Sequence, residues 1–433
     1  MIPTLIISLT TFVLVILSIL LFPHIKIGKI KLDTYWMIAL LGAIILLIFS
    51  FAPIKEVGKQ LVSNATINPI KILVLFFSMT MISIFLDELG LFKYLASLAS
   101  EKAKGNQYIL FIILYFLTAV LTVFTSNDVV ILTLTPFICF FSKRSRINPI
   151  PYLVAEFVAA NTWSLMLMIG NPTNIYLATS AGITFVDYFK VMAVPTIVAG
   201  LIELGILFLL FRKQLKAPLM NNEVLYQVED KIPLIIGLAD LFVCLFFLVI
   251  SSYIKIEMWL VSLIGASALL LFMLIYSIFE KRNIAHVGIT LKRLPYQLIP
   301  FFLSMFVIVV SLNYQGIAAK IAEFLGNQNT IWVYGYSSFM ASNLINNIPM
   351  SILFTNLTSN LSGIAYYQAV YASIIGSNIG AFLTPIGALA GIMFSGLVNE
   401  NNVRFTFIDF IKYGAIISIP VITAALAMTI LFI

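Results

Sequence analysis

The sequence predicts an all-α polytopic membrane protein built from two inverted-topology repeats, and three observations carry that prediction. Hydrophobic residues make up 61% of the 433 and charged ones 10%, against about 45–50% apolar in a soluble globule. Apolar windows of the ~20 residues that cross a bilayer follow one another along the chain. The segment Thr184-Phe-Val-Asp-Tyr-Phe-Lys190 returns as Thr406-Phe-Ile-Asp-Phe-Ile-Lys412, each copy trailing a polar break in a long apolar run, which marks an internal duplication.

Ten spans are expected near residues 3–22, 36–54, 72–90, 149–182, 191–211, 232–250, 257–279, 294–313, 364–399 and 411–432. Positive charge follows the first of these and does not precede it, so the reading is a retained helix and not a cleaved signal. Residues 106–141 do not fit as a span. They are apolar at both ends, interrupted by Thr125-Ser126-Asn127-Asp128, and flanked by Lys102 and Lys104 before and Lys143, Arg144 and Arg146 after. Basic flanks stay on the cytoplasmic side, so both ends belong there and the segment reads as a re-entrant hairpin with a polar tip. Residues 330–358, with Asn343, Asn346, Asn347 and Pro349 between almost uncharged flanks, read as a second hairpin from the other side.

Charge orients the chain. Loops near 23–35, 91–105, 142–148, 212–231, 280–293 and 400–412, placed inside, hold 19 of the 25 Lys and Arg, which sets both termini outside in a multi-pass plasma (inner) membrane protein. The repeats are then 1–215 and 216–433 with opposite orientation. Tyr35-Trp36 answers Met258-Trp259, Gly42 answers Gly265, and Asp87-Glu-Leu-Gly90 answers Asn313-Tyr-Gln-Gly316. Asn127-Asp128 answers Asn346-Asn347, and Gly170-Asn-Pro-Thr-Asn174 answers Gly387-Ala-Leu-Ala-Gly391.

Composition also excludes function classes. No polar stretch is long enough for a soluble domain, so the net charge of +7 is a topology signal and not a nucleic-acid footprint. Cys139 and Cys244 sit in apolar runs and read as buried small hydrophobes. His24 and His286 fall in cytoplasmic loops, where they make neither a zinc site nor a transmembrane proton relay. No cofactor and no resident metal is expected; Na⁺ or H⁺ enters only as a coupling ion.

The candidate site follows from the breaks. A helix broken within the bilayer presents free N–H groups and partial positive charge at one stump, and free carbonyls at the other. Gly170 and Pro172 break the 149–182 span, and Thr384-Pro385-Ile-Gly387 breaks 364–399. Beside them stand Asn161, Thr162, Asn171, Thr173 and Asn174 in the first half, and Ser377, Asn378, Thr384 and Gly387 in the second. With Thr125, Ser126, Asn127 and Asp128 on one hairpin and Asn343, Asn346 and Asn347 on the other, they form the expected substrate and ion shell. Asp128 is the first candidate for coupling, followed by Glu156, Glu203 and Asp240, acids in apolar stretches with no basic residue at similar depth. Asp87 and Glu88 close the third span near the water interface.

Several of these segments resemble a known family. Asp87-Glu-Leu-Gly-Leu-Phe92, Ser126-Asn-Asp128, Asn346-Asn-Ile-Pro-Met350, Gly376-Ser-Asn-Ile-Gly380 and Thr384-Pro-Ile-Gly-Ala-Leu-Ala390 resemble the arsenical pump membrane protein branch of the ion transporter superfamily, over nearly the whole chain and in the same order. The resemblance implies opposed hairpins, a site between their tips and the broken helices, and an elevator-like movement of a core against a scaffold. It also implies a scaffold that dimerises and, for the arsenical pump branch, a separate ATPase subunit as partner. The chain departs from the arsenite permeases at Asn161 and Asn378, where they carry Asp, and at Phe382, where they carry Lys. Gly170-Asn-Pro-Thr-Asn174 resembles the anion-permease and sodium-antiporter pattern instead.

The expected function is therefore secondary active transport, not enzymatic catalysis. The expected cargo is a small anion or oxyanion, arsenite or antimonite among them, coupled to an H⁺ or Na⁺ gradient. A Na⁺/H⁺ antiporter on the same fold is the alternative. A membrane-embedded transferase is a remote one, since it needs an acidic metal or diphosphate motif that the sequence lacks.

Overall fold

The computed structural model describes residues 1–22, 24–27, 30–62, 68–218, 226–228, 230–251, 253–279 and 285–433. Lys29, Lys281 and Arg282 of the charge count lie outside them, as do the side chains of His24 and His286. The described helices fall into two successive series with the same order. The first comprises α1 Ile2–Leu21, α2 Thr34–Ile48, α3 Ile54–Val62, α4 Pro69–Glu88, α5 Leu91–Lys102, α6 Gln107–Phe124, α7 Asn127–Arg144, α8 Ile150–Trp163, α9 Pro172–Ser180 and α10 Phe185–Phe211. The second comprises α11 Lys231–Ile250, α12 Met258–Phe279, α13 Ala285–Arg293, α14 Leu298–Tyr314, α15 Ile317–Leu325, α16 Thr330–Ile345, α17 Asn347–Thr358, α18 Gly363–Gly380, α19 Leu389–Glu400 and α20 Phe407–Thr429. Among the described residues, the addition to an all-α reading is a short antiparallel ribbon, β1 His24–Ile27 with β2 Ile30–Asp33, between α1 and α2.

Among the described residues, eight helices are long and apolar enough to cross a membrane, by length and composition: α1, α4, α6, α10, α11, α12, the α13–α14 stretch and α20; α2 is apolar but shorter. Local sequence sets their ends. Asn68 accepts from the amides of Ile70 and Lys71 to open α4, with Pro69 at the first helical position where its missing N–H costs nothing. Both α4 and α14 are followed by a left-handed glycine, Gly90 at φ 85° and Gly316 at φ 73°, which turns the chain into the short α5 and α15. Thr184 and Thr406, the residues that announced the duplication, each accept from the N–H of an Asp three residues on, and so cap α10 and α20. The repeated Thr-Phe-x-Asp segment is thus a helix-start signal.

The two series interlock. Across the two series α2 packs on α14 and α12 on α4, while α10 lies along α20. The ring of Phe211, at the end of α10, meets Tyr413 near the start of α20 at 5.3 Å. At the far end of α10, Asp187 O accepts from Tyr371 of α18. The pair is therefore antiparallel, and Thr184 and Thr406 stand at opposite faces, as inverted repeats require.

Both hairpins keep their feet together. At the foot of the first, Gln107 Nε2 donates to Ala217 O at 2.8 Å, Tyr108 Oη to Arg212 O at 2.7 Å, and Asn148 Nδ2 to Gln214 Oε1 at 2.8 Å. The start of α6 and the chain beyond α7 therefore rest on one segment, just past the C-terminus of α10. At the foot of the second, Thr330 donates to Gln368 and Tyr334 to Gly326 O, on the face where Tyr371 meets Asp187. The hairpins enter from opposite sides.

Candidate functional site

Each hairpin tip meets a helix break. The first tip is the two residues Thr125 and Ser126 between α6 and α7, and the second is Asn346 between α16 and α17. Asn127 Nδ2 donates to Asn161 Oδ1 on α8 at 3.2 Å. Asn346, at φ 71°, donates through Nδ2 to Ile386 O at 3.0 Å, and the amide of Asn347 donates to Gly387 O at 3.0 Å. Asn343 spans the second break, donating to Gly380 O at 3.0 Å and accepting from Thr384 at 2.7 Å.

The helix starts correct the alignment of the tips. Since α7 begins at Asn127 after Ser126 and α17 begins at Asn347 after Asn346, Asn127 answers Asn347 and Asp128 answers Ile348, one residue from the pairing expected from sequence. The carboxylate has no polar counterpart. The same asymmetry holds at the breaks: Asn171 and Pro172 open α9, whereas Ala388 and Leu389 open α19.

A small cleft of about 10 Å³, near the room one water occupies, is lined by Asn127, Asp128, Asn171, Pro172, Leu298, Asn347, Ile348, Ala388 and Leu389. Two wall residues each come from the starts of α7, α9, α17 and α19, so these four helix N-termini converge on one point, beside Leu298 at the start of α14. Partial positive charge gathers there. Asp128 is the one ionisable side chain in this lining, and its carboxylate has no hydrogen-bond partner among the described residues. Ser126 Oγ and Asn347 Oδ1 are likewise buried without a partner there.

Behind the cleft the breaks are locked by amides. Asn378 Oδ1 accepts from Ser164 Oγ at 2.8 Å and Asn171 Nδ2 at 3.0 Å, while its Nδ2 donates to Asn174 Oδ1 at 2.6 Å and Ile374 O at 2.8 Å. Ser377 donates to Thr173 at 3.1 Å. Asn161 Nδ2 donates to the carbonyl four residues back, that of Phe157, as Asn378 does to that of Ile374. Gly170 is required by space, because a Cβ there would fall 2.3 Å from Ser164 O; at Gly387 it would fall 2.8 Å from Gly380 O. Ser164 ties α8, α9 and α18 together and was not singled out from sequence; its position at the first residue of the break was the available signal.

The other acids lie elsewhere. Glu156 on α8 takes its hydrogen bonds from Thr135 of α7 at 3.0 Å. Glu203 on α10 accepts from Thr162 and from Tyr115 Oη, which in turn accepts from Trp163 Nε1. Both are buried in joints between helices that carry the site, not in the cleft. Asp240 sits on α11 facing Gly265 of α12, away from the site. Asp87 and Glu88 share Arg293, so this pair closes an ion cluster and does not face the tips. Thr125 donates to Leu121 O and finishes α6.

Two vestibules lie on opposite faces. One, of about 450 Å³, is walled by Asp33, Tyr35, Leu389, Glu400 and Thr406 among others, and shares Leu389 with the cleft. The other, of about 520 Å³, is walled by Lys71, Ile175, Thr184, Glu257 and Trp259 among others. Their walls are repeat-related: the start of α2 with α19 and Thr406, against the start of α12 with α9 and Thr184.

Comparison with known proteins agrees with this architecture. Residues 31–365 match the family model described as CitMHS, citrate transporter. An arsenical pump membrane protein of Escherichia coli is 25% identical over 406 residues, covering 90% of this chain and 91% of its own. A putative arsenical pump membrane protein of Bacillus subtilis (strain 168) is 25% identical over 428 residues, covering 91% and 93%. The solved structure of the Alcanivorax borkumensis YdaH transporter, described as having an unusual topology, superposes with a TM-score of 0.55 at 15% identity over 99% of this chain and 97% of its own.

Proposed function

The chain belongs to the citrate transporter family, and from that premise we propose that this multi-pass membrane transporter moves a small anion or oxyanion coupled to H⁺ or Na⁺, binding the anion between the hairpin tips. The observation that carries the reading is the convergence of four helix N-termini on a cleft with a single carboxylate. Aligned peptide dipoles suit an anion, and no Lys or Arg is needed to hold it. Asp128 opposes an anion by like charge. Loading the cleft therefore favours simultaneous neutralisation of Asp128 by a proton or a Na⁺, which ties cargo to cation and constitutes coupling.

The unpartnered amide oxygen of Asn347 is a hard ligand of the kind Na⁺ takes, and one proton on Asp128 serves equally. Relatives named as arsenical pumps support an oxyanion of that type among the cargoes. The departures at Asn161 and Asn378 leave Asp128 as the acid that carries coupling. Movement of the core, α6–α9 with α16–α19, against the scaffold of α1, α2, α4, α11, α12 and α14 would open the site to each vestibule in turn, and the repeat-related vestibules support that reading. The charge bias supports both termini outside and the first hairpin rooted in the cytoplasmic face.

A second reading, Na⁺/H⁺ exchange at Asp128, is favoured by its being the one carboxylate at the cleft. Reconstitution into liposomes separates the two. Gradient-driven uptake of citrate or arsenite that stops in Asp128→Asn supports anion transport; Na⁺-dependent proton flux without any anion supports exchange. If Asp128→Asn leaves gradient-driven flux unchanged, the coupling assignment is wrong.

A further inference from the structure

Three stretches of chain meet where the first hairpin leaves the membrane: 102–107 before α6, 143–148 after α7, and 212–218 after α10. The hydrogen bonds from Gln107, Tyr108 and Asn148 tie them, and a backbone bridge pairs Asn106 with Pro218. Lys102 and Lys104 stand on the first stretch, and Lys143, Arg144 and Arg146 on the second. The third adds Arg212, Lys213 and Lys216. That is 8 of the 25 basic residues. All eight are exposed, and among the described residues none forms an ion pair and Glu101 is the only acid on these stretches or next to them in sequence.

The ring lies at the rim of an apolar belt. Within about one helical turn of it, Ile109, Phe140 and Leu209 are 43%, 62% and 66% exposed, as side chains facing acyl chains are. The second hairpin provides the control. Before its feet α15 carries Lys320 and Glu323, and residues 326–330 and 359–363 have no charge. Hairpin architecture does not itself require the cations.

We propose that the feet of the first hairpin dock the headgroups of anionic phospholipids, and that this contact steadies the hairpin carrying Asn127 and Asp128. Exposed unpaired cations at the acyl boundary meet lipid phosphate at its own depth, and each is worth roughly a fivefold preference for an anionic surface. Because the ring clasps both ends of the hairpin, lipid bound there restrains α6 and α7 together.

The test compares the full-length protein in phosphatidylcholine alone with phosphatidylcholine plus phosphatidylglycerol. Lipid retention is read by native mass spectrometry, and motion by hydrogen exchange across α6 and α7. The expected result is selective phosphatidylglycerol retention and slowed exchange at the hairpin feet, both weakened by high salt. The K143Q/R144Q/R146Q variant should lose the preference by about 10²-fold from three such residues, and K320Q should keep it. Equal retention of both lipids by the wild-type protein would overturn the proposal whether or not the variant folds. So would full replacement of the lipid effect by inorganic phosphate in phosphatidylcholine, which would make the ring a free-anion site.

Discussion

Replacing Gly170 by Ala tests whether the first break has the geometry described. The added Cβ would lie 2.3 Å from Ser164 O and 2.9 Å from Ser164 Cα, whereas a carbon meets a carbonyl oxygen at about 3.3–3.6 Å. Both obstacles are backbone, so the chain must open by about 1 Å. Ser164 then shifts away from two partners, because its carbonyl accepts from Asn174 Nδ2 at 2.9 Å and its hydroxyl donates to Asn378 at 2.8 Å. Overpacking costs about 1–3 kcal/mol, and two weakened buried hydrogen bonds add roughly 1 kcal/mol each. A displacement of this size at a positioning element lowers function by about 10²-fold. The assay pairs thermal unfolding in detergent with initial uptake rates in liposomes. Gly205→Ala serves as control, since nothing lies within 4 Å of its added Cβ. Uptake and stability of Gly170→Ala indistinguishable from those of Gly205→Ala would refute the reasoning.

Four further outcomes follow from the same contacts. Asn378→Ala removes a hub of four hydrogen bonds and strands the buried Ser164, Asn171 and Asn174; a loss of about 2–4 kcal/mol and of uptake is expected, read by unfolding and flux. Thr184→Ala and Thr406→Ala each remove a helix cap, costing about 1 kcal/mol while leaving substrate affinity intact, which a binding titration checks. Arg293→Gln leaves Asp87 and Glu88 without their shared cation, so stability should fall by about 3 kcal/mol or more and recover in the triple neutral variant with Asp87→Asn and Glu88→Gln. At Glu257 the hydrogen bond from Lys71, at 2.5 Å, holds the carboxyl below its usual range. The folded value is the lower one, so the stabilisation is full above the unfolded value of about 4.3 and fades as pH falls through the folded value. Unfolding curves should show a flatter acid limb in Glu257→Gln.

The sequence carried the repeat order because its punctuation is local. Glycine after α4 and α14, Thr-x-x-Asp before α10 and α20, and Gly-x-Pro at the first break each act through their own backbone, and each lies where its residue type demands. Asn161, Asn171, Asn174, Ser377 and Asn378 were legible as a group, since uncharged polar residues clustered in hydrocarbon must find one another. Their pairing was not, because Asn174 meets Asn378 across 204 residues through a packing that no local pattern encodes. The tip register slipped by one for a related reason: Asn346-Asn347 reads as a match to Asn127-Asp128 until the helix starts fix which Asn opens α17. Glu203 looked like an unpaired acid because its partners, Tyr115 and Thr162, come from α6 and α8. The eight cations of the first hairpin registered only as topology, since their meeting depends on α10 ending beside that hairpin's feet.

The anion is expected to sit where α7, α9, α17 and α19 begin. An anomalous difference map from crystals of the protein grown with arsenite and collected at the arsenic edge tests it directly. One dominant peak is expected between Asn127, Asn171 and Asn347, lost in Gly170→Ala. A dominant peak in either vestibule, at the Asp87–Arg293 cluster or on Cys139 or Cys244, with the cleft empty while uptake of arsenite is measurable in the same preparation, would contradict it.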